Sequence, residues 1–552
     1  MNEALNDSLR FIISCGLRML GAIFTLIHRL RIRVLAFNQH RLRARHELRD
    51  ETPVSPYDNA MEAHISAAAS GKRGKVRFAI TSGSTGAPKR LLYTNARLRM
   101  LKLVFSDFYI RCCWALSIPR TSLYVFSSFS HDQSLTSMLL EEERGPSYFE
   151  TLQAPYRVQS HPSIGDLRAK YGDTAIRLWI LTLSNPGVLY STNPSTLSTF
   201  LEELHINWRT HSLLIRDWYQ RPNDFGPTVH RIARRISSKG AAQRVAGIAH
   251  LSTSPTLETY APAVTMYICW TGGYVKPFLD RLEKYLPARR YRRIPMYSMS
   301  TETVETIIDV RGSSVSFLPM APGVHYEFRE AEDGPLIQVW DVEPGHEYSL
   351  IVSDAYGLRR YDTGDVFLCR RKVAHLPDLF FQRRRNLEYS FTGEKLTGDQ
   401  LTIAFQNIRR SKMSPLYEEF LTCIPSNPTK DSVPHYKIVV VADQNHDPQA
   451  SLVCLCDLAE RCDRLLSQIN CEYKTKRESG RLGPARSVIM SRLEFVKLTT
   501  GSKSESWEAQ FKFLPLYVQT WEAMGGEACR DSTPLKQVSL ANHSRFDPNN
   551  FN

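Results

Sequence analysis

Apolar and polar positions near the start of the chain alternate at helical spacing. From Leu9 to Phe37 the polar residues Arg10, Ser14, Arg18, Thr25 and His28 recur near that period, which predicts a helix with one narrow polar stripe on an otherwise apolar cylinder. Arg18 lies inside the apolar run, which is only about as long as the minimum for crossing a bilayer, and no A-x-A-like cleavage site is obvious. Packing on the main domain, lying on a membrane surface and serving as a presequence all stay open for this helix. Further along, Val76 to Ile80 is an apolar run and Arg90 to Thr94 alternates as a strand does. Ile176 to Leu183 predicts a strand. Pro194 to Leu204 predicts a helix with its N-cap at Thr192 or Asn193, and Tyr267 to Trp270 is a short apolar run ending at Thr271-Gly272-Gly273. This alternation predicts an α/β protein with ligand loops at strand ends. The charged run Arg383 to Asn386 marks the clearest late boundary, and no internal repeat or low-complexity tract interrupts the pattern.

Composition adds bounds. At 552 residues, 42% hydrophobic and 23% charged, the chain has room for a large core and more than one domain. The formal charge of +14 is concentrated in Arg10, Arg18, Arg29, Arg31, Arg33, Arg41, Arg43, Arg45 and Arg49, with no acid between Arg10 and Glu47, and in the clusters Arg289 to Arg293 and Arg383 to Arg385. No nucleic-acid module or interleaved aromatic pattern accompanies these clusters, so they read as solvated basic faces. The 11 cysteines are scattered without paired C-x2-C knuckles; Cys454, Cys456, Cys462 and Cys471 read as buried small hydrophobes in a reducing compartment rather than as metal ligands.

The candidate chemistry begins at Thr81 to Lys89, T-S-G-S-T-G-A-P-K. Hydroxyls and backbone N–H groups freed by two glycines can converge on one anion, with Lys89 to neutralise it. The spacing does not fit G-x-x-x-x-G-K-[ST], and Lys89 leads into a strand rather than a helix, so the loop is not that of P-loop NTPases. Ser84 does not meet the G-x-S-x-G elbow of serine hydrolases either. A Gly/Ser-rich hairpin turn is the alternative. Three further groups follow in order. Tyr297 to Glu302 offers an aromatic for a base and a carboxylate for Mg2+. Tyr361-Asp-Thr-Gly364-Asp365 offers a tight turn at Gly364 and a carboxylate for the two hydroxyls of a ribose, or merely an Asp-Gly turn. Phe381 to Asn386 carries Arg384, and Thr392 to Leu396 lies shortly after it.

Taken in order, T-S-G-S-T-G-x-P-K, Y-x-x-x-T-E, Y-D-T-G-D and R-R-R-N resemble the adenylate-forming superfamily of acyl- and aminoacyl-activating enzymes. Asn38-Gln39, Thr52 to Tyr57, Thr271 to Gly273, Gly393 to Leu396, Tyr473 to Pro484, Gly501-Ser502 and Gln510 to Pro515 sharpen the resemblance toward GH3-type acyl acid amido synthetases, over most of residues 38 to 516. Two departures stand out: Tyr297 to Glu302 is one residue longer than the usual form, and Asn386 stands where many members have an Asp or Lys hinge.

The resemblance implies an α/β fold with a large N-terminal adenylate-forming domain of mixed sheets and helices and a smaller, mobile α+β C-terminal domain. Residues 1–37 would form the apolar, basic helix, 38–386 the ATP- and acyl-binding domain and 387–552 the small domain. It also implies ATP and Mg2+ as cofactors, and conversion of a carboxylic acid to an acyl-adenylate before transfer to an amine. Ser82, Gly83, Ser84, Thr85, Gly86 and Lys89 would then hold the phosphates. Glu302, beside Thr301, would present Mg2+, Thr271 and Gly272 would border nucleotide and acyl group, and Tyr297 would lie on adenine. Asp365 would bind ribose, and Arg384 would touch ribose or phosphate near the hinge. Lys512 is the candidate C-terminal lysine approaching the site, against a surface lysine, and His131 a candidate base for the amine, against a local hydrogen-bonding role. Partners would be small acids and amines, without nucleic acid, in the cytoplasm, with membrane contact through residues 8–36 left open. An acyl-CoA or acyl-protein ligase, and a non-catalytic protein of the same fold, remain the alternatives.

Overall fold

The computed structural model describes the chain between residues 2 and 518 apart from 47, 49–51, 57–58, 71–75, 81–89, 127–134, 141–146, 252, 273–274, 313, 331–333, 386, 393, 412–413, 429–432, 443–447 and 501–512. The predicted first helix runs from Asn2 to Arg45, past residue 37. Its polar stripe faces the protein. The Asn6 amide donates to the Ser237 carbonyl at 2.7 Å, the Ser14 and Thr121 hydroxyls lie 3.0 Å apart, and His28 Nε2 is 3.2 Å from Asp309 Oδ1. Near its end Gln39 acts as a piece of strand: its side-chain NH2 donates to the Val324 carbonyl and its oxygen accepts the Tyr326 N–H, both at 3.0 Å. Because buried polar groups must be paired, these bonds fix which side of the helix faces in.

Strands Val76–Ile80 and Arg90–Thr94 pair antiparallel on either side of 81–89, ending in the pair Ile80 and Arg90, so Lys89 does lead into a strand. Thr94 then caps helix Asn95–Ala115 by accepting the Arg97 N–H. Four parallel strands follow, Leu123–Val125, Val188–Ser191, Met266–Cys269 and Arg292–Pro295, adjacent in sequence order and joined through helices. The first three are short, buried along their length and almost entirely apolar, as strands covered on both faces are, whereas the last, Arg292–Pro295, starts with two exposed arginines.

Here one expectation fails. Ile176 to Leu183 belongs to helix Asp173–Ser184, not to a strand. Every residue from Thr174 to Ser184 except Arg177 is buried, so the segment is apolar all round and shows no period by which helix and strand differ. Asn185 ends the helix in the left-handed conformation at φ 47°, and the strand comes just after it, at Val188. The neighbouring helix was legible. Pro194–Gln220 has Asn193 as its N-cap, accepting the Ser195 N–H, and proline at its first position.

A five-stranded antiparallel sheet packs beside this unit in the order Ile337–Gln338, Val324–Arg329, Glu347–Asp354, Tyr361–Val373, Leu376–Arg384. One apolar cluster runs continuously from Ile32 to Leu379. A second gathers residues 387–517 around the three strands Phe420–Ser426, His435–Val441 and Arg486–Met490, and takes in Phe278 from helix Lys276–Tyr285. Of the four late cysteines read as buried, Cys462 is; Cys454 is half-buried, and Cys456 and Cys471 are exposed. Cys454 and Cys456 share helix Pro448–Ile469 with Cys462 but point elsewhere on its surface.

Candidate active site

Three segments leave the C-terminal ends of the parallel strands side by side. Ser191, Cys269 and Pro295 lie in register across the sheet, and beyond them come Thr192-Asn193, Trp270-Thr271-Gly272 and the turn that starts at Met296. Open α/β sheets bind ligands at this edge. Gly272 brings the second segment against the antiparallel sheet: a Cβ there would sit 2.9 Å from the Trp270 ring and 3.2 Å from Phe381 Cβ, so only glycine allows the approach. The Trp270 and Phe381 rings meet edge to face at 5.6 Å, three residues before Arg384.

Thr301 and Glu302 occupy the tip of a small hairpin closed by the Met299 and Val304 bridge and by the Ser300 N–H donating to the Thr303 carbonyl at 3.0 Å. Two residues from the start of the chain hold this tip. The Tyr93 hydroxyl donates to the Thr301 carbonyl, and the buried Arg97 guanidinium donates to that of Glu302. Arg97 is itself balanced by Asp354 at 3.8 Å and lies over the Tyr93 ring at 4.5 Å. Strand Arg90–Thr94, which emerges from 81–89, is thereby fixed against the turn that carries Glu302.

Asp365 and Arg384 are register partners on adjacent strands. The tight turn expected at Gly364 is a bulge inside strand Tyr361–Val373, where the pairing shifts between Ser349 and Ile351 of the neighbouring strand. Gly364 has φ +72°, its N–H donates to Asp362 Oδ1 at 2.9 Å, and the next N–H, of Asp365, donates to the Thr363 hydroxyl at 3.1 Å. The bulge turns Asp365 toward Arg384, whose Nε lies 3.8 Å from Asp365 Oδ1 and whose Nη2 donates to the Thr363 carbonyl at 3.3 Å. Burial works against the Arg384 charge, but Asp365, then Glu302, Tyr361 and Glu305, outweigh it and hold the guanidinium above its ordinary value. Glu305 was not singled out from the sequence. It is 1% exposed, accepts the Ser300 N–H at 3.1 Å, and its carboxyl is pushed up to about 7 by burial and then by Asp365.

The structure thus brings Thr301, Glu302, Asp365 and Arg384 together, beside Thr271 and Gly272. Tyr297 stands apart: it is 2% exposed and packs edge to face on Phe108 at 5.6 Å, in the core beneath the hairpin. Ser82, Gly83, Ser84, Thr85, Gly86, Lys89, His131, Asn386 and Lys512 lie outside the described residues. Tyr93, Arg97 and Glu305 were missed because an arginine in the first turn of a helix or an acid near a turn reads as solvent-facing unless the packing is known.

The Arg384 guanidinium lies in the field of Asp365, Glu302 and Glu305, with Asp365 at 3.8 Å. Among the described residues no group of three or more His, Cys, Asp or Glu forms a metal cage. Glu302 is the carboxylate here that could hold a Mg2+ ion, as a single carboxylate does where the other ligands are not protein groups.

Two of the late motifs, around Glu394 and from Tyr473 to Arg477, enter hydrogen-bond networks within the C-terminal cluster. Glu394 accepts the N–H groups of Phe391 and Thr392 at 2.7 and 2.8 Å and the Tyr436 hydroxyl at 2.6 Å, and Arg477 and the Tyr473 hydroxyl converge on Asp463. These buried networks specify the C-terminal cluster.

Residues 317–384 match the GH3 family central domain, the stretch that contains Asp365 and Arg384. Indole-3-acetic acid-amido synthetase GH3.3 of Arabidopsis thaliana is 24% identical over 236 residues, 39% of this chain and 38% of that protein. A probable indole-3-acetic acid-amido synthetase GH3.1 of Oryza sativa subsp. japonica is 32% identical over 101 residues, 17% of each chain. The chain therefore matches less than two fifths of the length of these relatives. Among solved structures, the AtGH3.15 acyl acid amido synthetase in complex with 2,4-DB superposes with a TM-score of 0.62 at 18% identity, covering 86% of both chains.

Proposed function

From a chain that carries a GH3 family central domain on the fold of an acyl acid amido synthetase, we propose an ATP-dependent ligase that joins a carboxylic acid to an amine. The observation that carries the reading is the convergence of Glu302, Asp365 and Arg384 on the edge of the parallel sheet where the strands around 81–89 are tethered.

A carboxylate is a poor electrophile because its leaving group would be oxide. In the first half-reaction a carboxylate oxygen attacks the α-phosphorus of ATP, the bond to the bridging oxygen breaks, and pyrophosphate leaves. In the second the amine nitrogen attacks the acyl carbon, the bond to AMP breaks, and the amine gives up its proton. Asp365 would accept both ribose hydroxyls, which requires it to stay ionised; Arg384 beside it favours that form. Arg384 would turn from Asp365 to the phosphate as charge builds there, a gain made only in the transition state. Lys89 with the hydroxyls and N–H groups of Ser82 to Gly86 would grip the phosphates. Glu302 would hold Mg2+, which when bound supplies positive charge to the phosphate oxygens. Thr271 and Gly272 would border the acyl group. Residues 387–552 form the small domain in this reading, rotating between the two half-reactions. ATP as substrate and the ten unbridged cysteines among the described residues agree with a cytoplasmic setting.

Acid-dependent exchange of labelled pyrophosphate into ATP, run over an acid library, tests the first half-reaction. Amines and coenzyme A offered to the activated acid then test the second. Exchange followed by amide formation is the expected result; thioester formation without amide would replace the amine by a thiol acceptor, and silence across the library would sink the ligase.

A further inference from the structure

The first helix is inside out. Its inward side is pinned by the polar residues Asn6, Ser14, His28 and Gln39, with Ile32 and Leu35 joining the core near its end, while nearly half of the exposed large apolar side chains among the described residues belong to its outward side. At about 100° per residue, Ile12, Met19, Ile23, Leu26, Leu30 and Phe37 fall within an arc of about 60°, opposite the pinned side, and run for about 38 Å. Met19 is 73% and Phe37 69% exposed. Contiguous apolar surface of this extent marks a binding face. Exposed Arg29 and Arg33 flank the stripe on one side and Arg31 on the other, with Arg41 continuing it. The only acids on the helix are Glu3 and Asp7, and Asp7 is taken up by Arg10 and Arg120.

We propose that this face docks in the plane of an anionic lipid bilayer, with the apolar stripe in the acyl boundary and Arg29, Arg31, Arg33 and Arg41 among the headgroups. The helix Glu3–Leu35 is long and apolar enough to span a membrane by composition alone. Spanning would strip Asn6, Ser14, His28 and Gln39 from their partners in the protein and leave them in hydrocarbon, which favours the in-plane arrangement. A second copy of the chain would offer the arginine flanks no outward carboxylate, since the helix has none beyond Glu3 and Asp7. Only a negatively charged surface complements both parts of the face. The proposal does not depend on the ligase reading, since none of these residues touches the site.

The test is co-sedimentation of the full chain with phosphatidylcholine vesicles, with and without phosphatidylserine, at low and high salt. The full chain should pellet with the anionic vesicles, and less so at high salt. The double variant Ile23→Glu/Leu30→Glu should pellet about tenfold less, with unchanged thermal midpoint and pyrophosphate exchange. Arg29→Gln/Arg31→Gln/Arg33→Gln should lose the preference for phosphatidylserine, while Ile403→Glu, on an exposed apolar site of helix Gly398–Arg410, should pellet as the unaltered chain does. Equal pelleting of Ile23→Glu/Leu30→Glu, or no pelleting of the unaltered chain, would overturn the proposal. So would a dimer in solution that the double variant converts to monomer, since the stripe would then be covered by a second copy.

Discussion

At the scale of single residues, Asp365 and Arg384 illustrate what a motif can and cannot say. Y-D-T-G-D in the sequence predicts an acid after a special glycine; that the acid faces Arg384 follows from a bulge that only strand pairing creates. Asp365→Ala and Glu302→Ala should each cost about 2 to 4 kcal/mol of transition-state stabilisation in pyrophosphate exchange, with Glu302→Ala the more damaging as Mg2+ is titrated. Full exchange by Glu302→Ala would remove its role. Two buried groups give the fold opposing pH dependences. His325 is pushed down to about 4 by burial, so the unfolded chain binds a proton that the folded chain refuses, and stability falls as pH drops from 6.5 toward 4, by about 3 kcal/mol. Glu305 is pushed up to about 7, so its contribution is full below 4.5 and is lost as pH rises through 7. Between these the slopes oppose. Glu305→Gln should therefore steepen the acid loss of stability, and His325→Leu should make stability decline from pH 4.5 to 7, both readable as urea midpoints across pH.

At the scale of elements, the turn bearing Glu302 is held from outside. Arg97 Nη2 reaches the Glu302 carbonyl from the first turn of helix Asn95–Ala115 and faces Asp354, while Nη1 donates to the Leu92 carbonyl at 3.3 Å, and the single nitrogen of a lysine cannot occupy both places. Arg97→Met should cost about 3 to 5 kcal/mol in stability by leaving Asp354 buried without its cation. Arg97→Lys should restore most of that stability while recovering little exchange activity. Recovery of both together would make Arg97 a purely structural residue. The elements themselves were legible wherever apolar period and capping agreed, as at Asn193 and Pro194, and illegible at Ile176 to Leu183, where a helix buried on all sides has no polar face to set its period.

At the scale of the molecule, two apolar clusters meet at helix Lys276–Tyr285. Phe278 packs against Phe420 and Phe513 of the second cluster at 5.7 and 4.9 Å, and Arg281 pairs with Glu419 and lies 3.6 Å from Glu202. If residues 387–552 rotate between half-reactions, this junction belongs to one of the two states. Arg281→Ala should then change the ratio of amide formation to pyrophosphate exchange several-fold with little loss of stability, whereas a fixed junction would leave the ratio unchanged. By itself the sequence determined the local matters: the order of the motifs, the strand after Lys89, the cap at Asn193 and the polar stripe of the first helix, because each is set by residues within a few positions of one another. Only the tertiary structure decided that this stripe faces inward, that Tyr297 is core, and that Arg97 and Glu305 belong to the site. Those outcomes depend on which distant surface a side chain meets, and spacing along the chain carries no record of that.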